Sequence, residues 1–565
     1  MTSSAIHYAI RPAHPAAHRF TVSCTVAAPD PAGQRFALPA WIPGSYLIRD
    51  FARHIVAIHA DAGGKSVRLD KLDKHTWRAA PVRKGAALTV TCEIHAEDLS
   101  VRTAHLDSTH AFFNGANVFL RVFGQESLPC LVDLRRPEGK DFAAWRVATS
   151  LPVAAGEKRC ARRHAFGLYR AENYDELIDH PVEMGSFTLI AFEACGIAHE
   201  IAVTGRHDCD PERLTADLRR VCEWQLRFFG EPAPMARYVF LVTVVGEAYG
   251  GLEHRASTAL LCARNDLPYP GMKGLPEAYR TFLGLCSHEY FHAWNVKRIK
   301  PAAFTPYDLD RENYTTQLWA FEGITSYYDD LALLRSGVIT LRDWLDLVSA
   351  TIGKVMRVPG RLRQSLAESS FDAWSKFYRP DENTPNVVVS YYAKGALAAL
   401  ALDLTLRHGT RGRVSLDDVM RALWRRFGQT GIGVGDDDIR LIAEELSGLD
   451  LERFFARTIH GTRDIPLPRL LAPFGIRLTW EKARTPALGV KIEEKGGGVR
   501  LATVYDGGPA QRAGLSAGDI LVAVDGLRVT VKNIDTLLGR RQPGDTLAIH
   551  AFRRDELMRF EPTLG

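Results

Sequence analysis

The feature that most restricts how this chain can fold is His288-Glu289-Tyr290-Phe291-His292, set in a stretch with helical patterning. On a helix, residues four apart lie on one face. Both imidazoles can then reach one metal ion, and Glu289 sits where it can hold a water on that metal. This spacing points to metal-assisted hydrolysis.

At 565 residues the chain is too long for one core, so two to four domains are expected. Residues 1–170 alternate polar and apolar positions in short runs, as in Phe20-Thr21-Val22-Ser23-Cys24-Thr25-Val26. Leu88-Thr89-Val90-Thr91-Cys92-Glu93-Ile94 repeats the pattern, which predicts an all-β sandwich or curved sheet. Trp41-Ile42-Pro43-Gly44-Ser45-Tyr46 interrupts it with a turn. From residue 171 the pattern changes: strands are predicted over 187–192 and 238–245, and a helix over 211–229. Long helical patterns run from about 275 to about 460, with Pro301 as a stop after the first of them. Past Pro466-Leu467-Pro468, a segment from 480 has Gly-rich turns, short strands and one helix predicted over 531–540. The expected architecture is therefore multidomain α+β, with domains at 1–170, 171–479 and 480–565.

The charge balance, Lys+Arg 71 against Asp+Glu 66, is too even to argue for nucleic acid. No run of 18 apolar residues suggests a membrane span. The segment Met1-Thr2-Ser3-Ser4-Ala5-Ile6-His7-Tyr8 lacks the basic start and apolar run of a secretory leader. The nine Cys are scattered without a C-x-x-C pair, which suits a reducing compartment. The expected location is cytoplasmic, or periplasmic if a leader has been trimmed.

A hydrolytic zinc takes three protein ligands and keeps one position open. The candidate third ligand is Glu322, in the apolar and aromatic segment Leu318-Trp319-Ala320-Phe321-Glu322-Gly323-Ile324. A buried carboxylate there is costly unless it is paired or metal-bound. A solvent-facing Glu at a helix start is the other reading of the same residue. The expected cofactor is one zinc per chain, on His288, His292 and Glu322.

A zinc helix followed by a Glu-Gly helix resembles the gluzincins, with their thermolysin-like, mostly helical catalytic domain. More narrowly, the run from His288 through Ala293-Trp294-Asn295-Val296-Lys297-Arg298-Ile299-Lys300-Pro301 resembles the glycyl aminopeptidase family of PDZ-bearing metallopeptidases. Tyr307-Asp308-Leu309, Glu312-Asn313-Tyr314, Glu172-Asn173-Tyr174-Asp175-Glu176-Leu177-Ile178-Asp179 and Val182-Glu183-Met184-Gly185 extend that likeness. The 29 residues between His292 and Glu322 fit this family rather than the larger single-zinc aminopeptidase group, where the spacing is shorter.

The resemblance implies roles for further residues. Glu289 is the general base. Tyr392, in Tyr391-Tyr392-Ala393-Lys394-Gly395, matches the family's Y-x-K-G element and would donate to the oxyanion. An aromatic opening an apolar helix is also ordinary core, and Tyr391 suits that part equally. Gly250-Gly251-Leu252-Glu253-His254 is similar to a G-x-M-E-N element, with Leu for Met and His for Asn. Glu253 would bind the substrate's free ammonium, and Gly250 and Gly251 would let its backbone approach. A Glu after a Gly-Gly turn is otherwise a surface residue. The family further implies a preference for a small first residue, Gly or Ala. Phe112-Phe113-Asn114-Gly115 is a candidate contact from the β domain to the site.

Ala487-Leu488-Gly489-Val490 resembles the carboxylate-binding loop of PDZ domains, and Gly518-Asp519-Ile520-Leu521-Val522-Ala523-Val524-Asp525-Gly526 resembles their core. Such a module takes extended peptides by strand addition, unless its groove is filled from within the chain. The expected function is a zinc aminopeptidase acting on peptides with a free N-terminus. The alternatives are a zinc endopeptidase, or an inactive peptide-binding scaffold.

Overall fold

The computed structural model describes residues 5–481 and 486–565. Residues 1–4, part of the segment read as lacking a leader, lie outside them. The fold is multidomain α+β: β-rich at the start, helical in the middle, and a small β module at the end. The chain divides into two compact units. One comprises 1–313, 328–345 and 420–435, and the other 314–327, 346–419 and 436–565.

In the first unit, the N-terminal alternation becomes a seven-stranded sheet and two four-stranded sheets. Arg19–Val26 and Leu88–His95 pair antiparallel, each burying every second side chain. Phe20, Phe36, Phe113 and Phe119 belong to one apolar cluster that the sheets share. A mixed five-stranded sheet follows, in the order Thr188–Ala194, Ile197–Thr204, Arg237–Val245, Ser257–Ala263, Tyr249–Glu253. Tyr249–Glu253 is thus an edge strand. The helix Pro211–Phe229 opens with Pro211 in its first turn and Asp210 accepting from the N–H groups of Glu212 and Arg213.

The helix Glu277–Phe291 packs against the edge strand. Tyr290 anchors its inner side: its ring stacks on Phe240, and its hydroxyl meets His199 Nε2 at 2.9 Å. Burying such a side chain stabilises by about 1.5–3 kcal/mol. Two residues before and after Tyr290, His288 and His292 fall on the other face. This helix ends at Phe291, with His292 as its cap, well before the stop expected at Pro301. The chain curls at Asn295, and Val296 takes a φ of 136° that no helix continues.

In the second unit, Ala393–Gly409 is apolar on nearly all faces and correspondingly buried. It crosses the segment Trp319–Gly323 at a pair of glycines. A Cβ on Gly323 would stand 2.6 Å from Gly395 Cα. Trp319–Gly323 winds as a π-turn and runs on into the α-helix Ile324–Arg335.

The C-terminal module of this unit is a sheet with Val490–Lys495 at its edge, packed on its own apolar core. The helix expected over 531–540 spans only Ile534–Leu538. The Asn533 side chain accepts from Thr530 N–H and donates to Arg528 O, which ties residues 528–533 into a turn. Asn386 of the helical body grips the module, donating to Val504 O and accepting from Asp506 N–H, each at 3.0 Å.

Candidate active site

Within the first unit, the two His of the helix Glu277–Phe291 are each oriented through Nδ1. His288 Nδ1 lies 2.9 Å from Asp329 Oδ2, and His292 Nδ1 lies 2.7 Å from Asn295 O. The early helix end is what brings the Asn295 carbonyl back to His292. With Nδ1 donating in both rings, the Nε2 lone pairs turn toward each other, 3.0 Å apart. Two such lone pairs repel unless a cation lies between them. The separation suits an ion bound to each nitrogen at about 2.0–2.1 Å. The residues present therefore fit a zinc ion, with Asp329 and the Asn295 carbonyl orienting the two rings through Nδ1.

Glu289 lies under the edge strand. A Cβ on Gly251 would collide with Glu289 Oε1 and Cδ, so this position has room only for a glycine. Glu253, on the same strand, is 4% exposed, not the surface residue its Gly-Gly context allows. Its Oε1 is buried and has no hydrogen-bond partner among the described residues. Glu253, Glu289 and His292 offer polar atoms all within 4.8 Å of one another.

The wall behind Glu253 comes from the N-terminal domain. Gly44, at φ +94°, presses on it so closely that a Cβ would stand 2.5 Å from both carboxylate oxygens. Trp41 Nε1 donates to Asp308 O, fixing the turn 41–46 on the Tyr307-Asp308-Leu309 segment. Val101 and Arg102 approach Gly250, and Arg102 reaches Gly251 O at 3.5 Å. Phe112-Phe113-Asn114-Gly115 does not make that approach. Its aromatics are buried in the β core, and Asn114 Nδ2 donates to Val101 O and Thr103 O, holding the 101–103 loop from behind.

Asp179 joins three motif segments in one buried knot. It accepts from His254 Nδ1 at 3.2 Å, Lys297 Nζ at 2.6 Å and Arg255 N–H at 3.0 Å. Burial alone would raise its carboxyl, but Lys297, His254 and Arg255 hold it well below the usual carboxylate range. Its contribution is complete above the ordinary carboxylate pKa and is lost only as pH falls through the depressed value. Asp179→Ala would strand the Lys297 ammonium and is expected to destabilise by about 3–5 kcal/mol, read as a lower urea midpoint. An unchanged midpoint would remove Asp179 from this structural role.

In the second unit, Glu322 lies in the π-turn and is 2% exposed, so it is not the solvent-facing helix start of the other reading. Tyr391 is fully buried, with its ring 4.7 Å from that of Phe377, whereas Tyr392 keeps part of its surface exposed. Burial pushes both phenols well above their usual range, with Tyr378 next for Tyr391 and the Glu322 charge next for Tyr392, so both keep their protons at neutral pH. Gly395 is the close-contact residue that brings the start of its helix against the Glu322 turn. Asp329 lies seven positions after Glu322, on the α-helix Ile324–Arg335. Asp329 is the residue that holds His288.

Several of these groups escaped the sequence reading. Asp329 carried a usable signal, its spacing from Glu322. Gly44, Arg102 and Asp179 reach the site or its supports across long stretches of chain, and no local pattern marks those contacts.

Three family models match the chain: the Peptidase M61 N-terminal domain over residues 7–186, the M61 glycyl aminopeptidase over 281–398, and a PDZ domain over 486–563. No curated protein matches it. Among solved structures, an aminopeptidase N family protein from Idiomarina loihiensis is 43% identical, with a TM-score of 0.94, covering 99% of this chain and 96% of that one. The M1 zinc metallopeptidase from Deinococcus radiodurans is 16% identical, with a TM-score of 0.50, covering 83% of this chain and 96% of that one. A variant of that enzyme bound to a Tyr-Ser-Ala substrate is 15% identical, with a TM-score of 0.50, covering 82% and 95%. At these lower identities the likeness is one of fold.

Proposed function

Because the chain belongs to the M61 glycyl aminopeptidase family, we propose that it is a zinc aminopeptidase releasing one small residue, Gly or Ala, from peptide N-termini. The observation that carries this reading is the buried Glu253 Oε1 without a partner, within 4.8 Å of polar atoms of Glu289 and His292. An unpaired buried carboxylate oxygen is costly until a cation meets it. In a peptide, the terminal ammonium is such a cation, and only two bonds of about 1.5 Å separate it from the first carbonyl carbon. An ammonium on Glu253 therefore brings the first peptide bond, and no later one, to Glu289.

His288, His292 and Glu322 are the residues that would hold zinc. When bound, zinc supplies Lewis acidity and lowers the pKa of a water to about 7. Glu289 would accept the proton of the attacking water at its carboxylate and deliver it to the leaving amine. Tyr392 Oη, kept protonated, donates to the oxygen on which charge develops. Gly251 gives Glu289 its space, and Gly250 lets the substrate backbone approach the edge strand. The closeness of the 41–46 turn and of Val101 and Arg102 supports a preference for a small first side chain.

The edge strand Val490–Lys495 pairs with Gly498–Val504 alone among the described residues, which supports peptide capture by strand addition at the PDZ module.

Stripping the full chain with a chelator is expected to abolish release of Gly or Ala from small peptides, and zinc to restore it. Full activity in verified metal-free protein would overturn the proposal.

A further inference from the structure

A second constellation of metal-binding side chains lies in the N-terminal domain, on the hairpin Ala104–Leu106 and His110–Phe113. The register sets Leu106 against Ala111 and His105 against Phe112. Side chains two apart on a strand share a face. His105, Asp107 and His110 therefore project from the same face, and one ligand atom of each lies within 4.8 Å of the others. The two imidazole centroids are 4.9 Å apart.

Each group has its second atom already committed. His105 Nδ1 lies 3.1 Å from Glu97 O, and His110 Nδ1 lies 3.1 Å from Glu183 Oε1. Glu183 is 2% exposed and is itself held by Thr204 Oγ1 at 3.0 Å. Donation from Nδ1 in both rings directs the Nε2 lone pairs outward as ligands, the arrangement that carboxylate and carbonyl partners impose on metal-binding His. Asp107 Oδ1 caps the turn, accepting from the N–H groups of Thr109 and His110 and from the Thr109 hydroxyl. Its other oxygen, Oδ2, faces His105 Nε2 at 3.5 Å. Both His are nearly buried, whereas the Asp107 side chain is 34% exposed, which gives an ion a route in from solvent.

We propose that His105, Asp107 and His110 form a second zinc site, separate from His288 and His292. Two imidazole nitrogens and one carboxylate oxygen are a zinc donor set, and water would fill the fourth position. The ion would pin the hairpin whose next residue, Asn114, holds the 101–103 loop against Gly250. The site thus stiffens a wall of the cleft without touching substrate. A proton shared between His110 and its carboxylates is the competing occupant, and metal counting separates the two.

The test is zinc content per full-length chain after equilibrium dialysis, alongside far-UV circular dichroism. Asp107→Asn keeps the Oδ1 acceptor that caps the turn and loses the ligand charge, and His110→Gln removes the ring. Each is expected to hold one zinc fewer than the unsubstituted chain, with an unchanged dichroism spectrum. A chain carrying His288→Ala and His292→Ala is expected to keep one zinc, which Asp107→Asn then removes. Because the count is taken as a difference, failure of the His288–His292 pair to bind metal would not mimic failure here. Equal zinc in the unsubstituted chain and both single variants would overturn the site.

Discussion

Glu289→Gln is expected to lower kcat by about 10²–10⁴-fold, the range typical of a lost general base. Gln matches Glu in shape, so it still fits under Gly251, where any larger residue on the strand would collide. It cannot accept the proton. Zinc content should be unchanged, since the proposed ligands are His288, His292 and Glu322. His288→Ala, by contrast, should lose activity together with one zinc. Retained turnover in Glu289→Gln would remove this residue from the chemistry, and loss of zinc would make it a ligand.

Glu253→Ala is expected to cost free-amine substrates about 2–5 kcal/mol in kcat/KM, or roughly 30-fold to several thousand-fold, the penalty for removing one member of a buried charge pair. The loss should be selective. A peptide with a blocked N-terminus never forms that pair, so its slow background cleavage should not fall further. If Glu253 served only to support the edge strand, both kinds of peptide would suffer alike. Its fit against Gly44, 2.5 Å from where a Cβ would be, makes the shorter Ala sterically safe.

Much of the architecture was legible because local periodicity sets it. The alternation over residues 20–26 and 88–94 became paired strands, and the expected helix over 211–229 is Pro211–Phe229. The helix bearing His288 ended earlier than expected because Pro301 is only a local stop signal. The helix ends at Phe291, and the Asn295 carbonyl then turns back to His292 Nδ1. The helix expected over 531–540 shrank because the Asn533 side chain competes with helical hydrogen bonds. For the proposed site, His288, Glu289 and His292 are picked out by spacing on one helix, Glu322 by its apolar and aromatic setting, and Glu253 and Tyr392 by motif likeness. Two glycines of these motifs also have packing roles that no local pattern announces. Gly251 makes room for Glu289, and Gly395 lets a helix cross at Gly323. The Asp179 knot was present in the quoted motifs, but its role appears only when His254, Arg255 and Lys297 converge in space.

In the proposed reaction the Glu253 carboxylate fixes the substrate's free amine one residue from the bond that breaks. The most direct test of this compares the unsubstituted, zinc-loaded protein on two peptides of identical sequence, one with a free N-terminal glycine and one N-acetylated. Stepwise release of the first residue from the free peptide is expected, with no comparable cleavage of the acetylated one. Equal kcat/KM for the two, or cleavage at an internal bond, would contradict it.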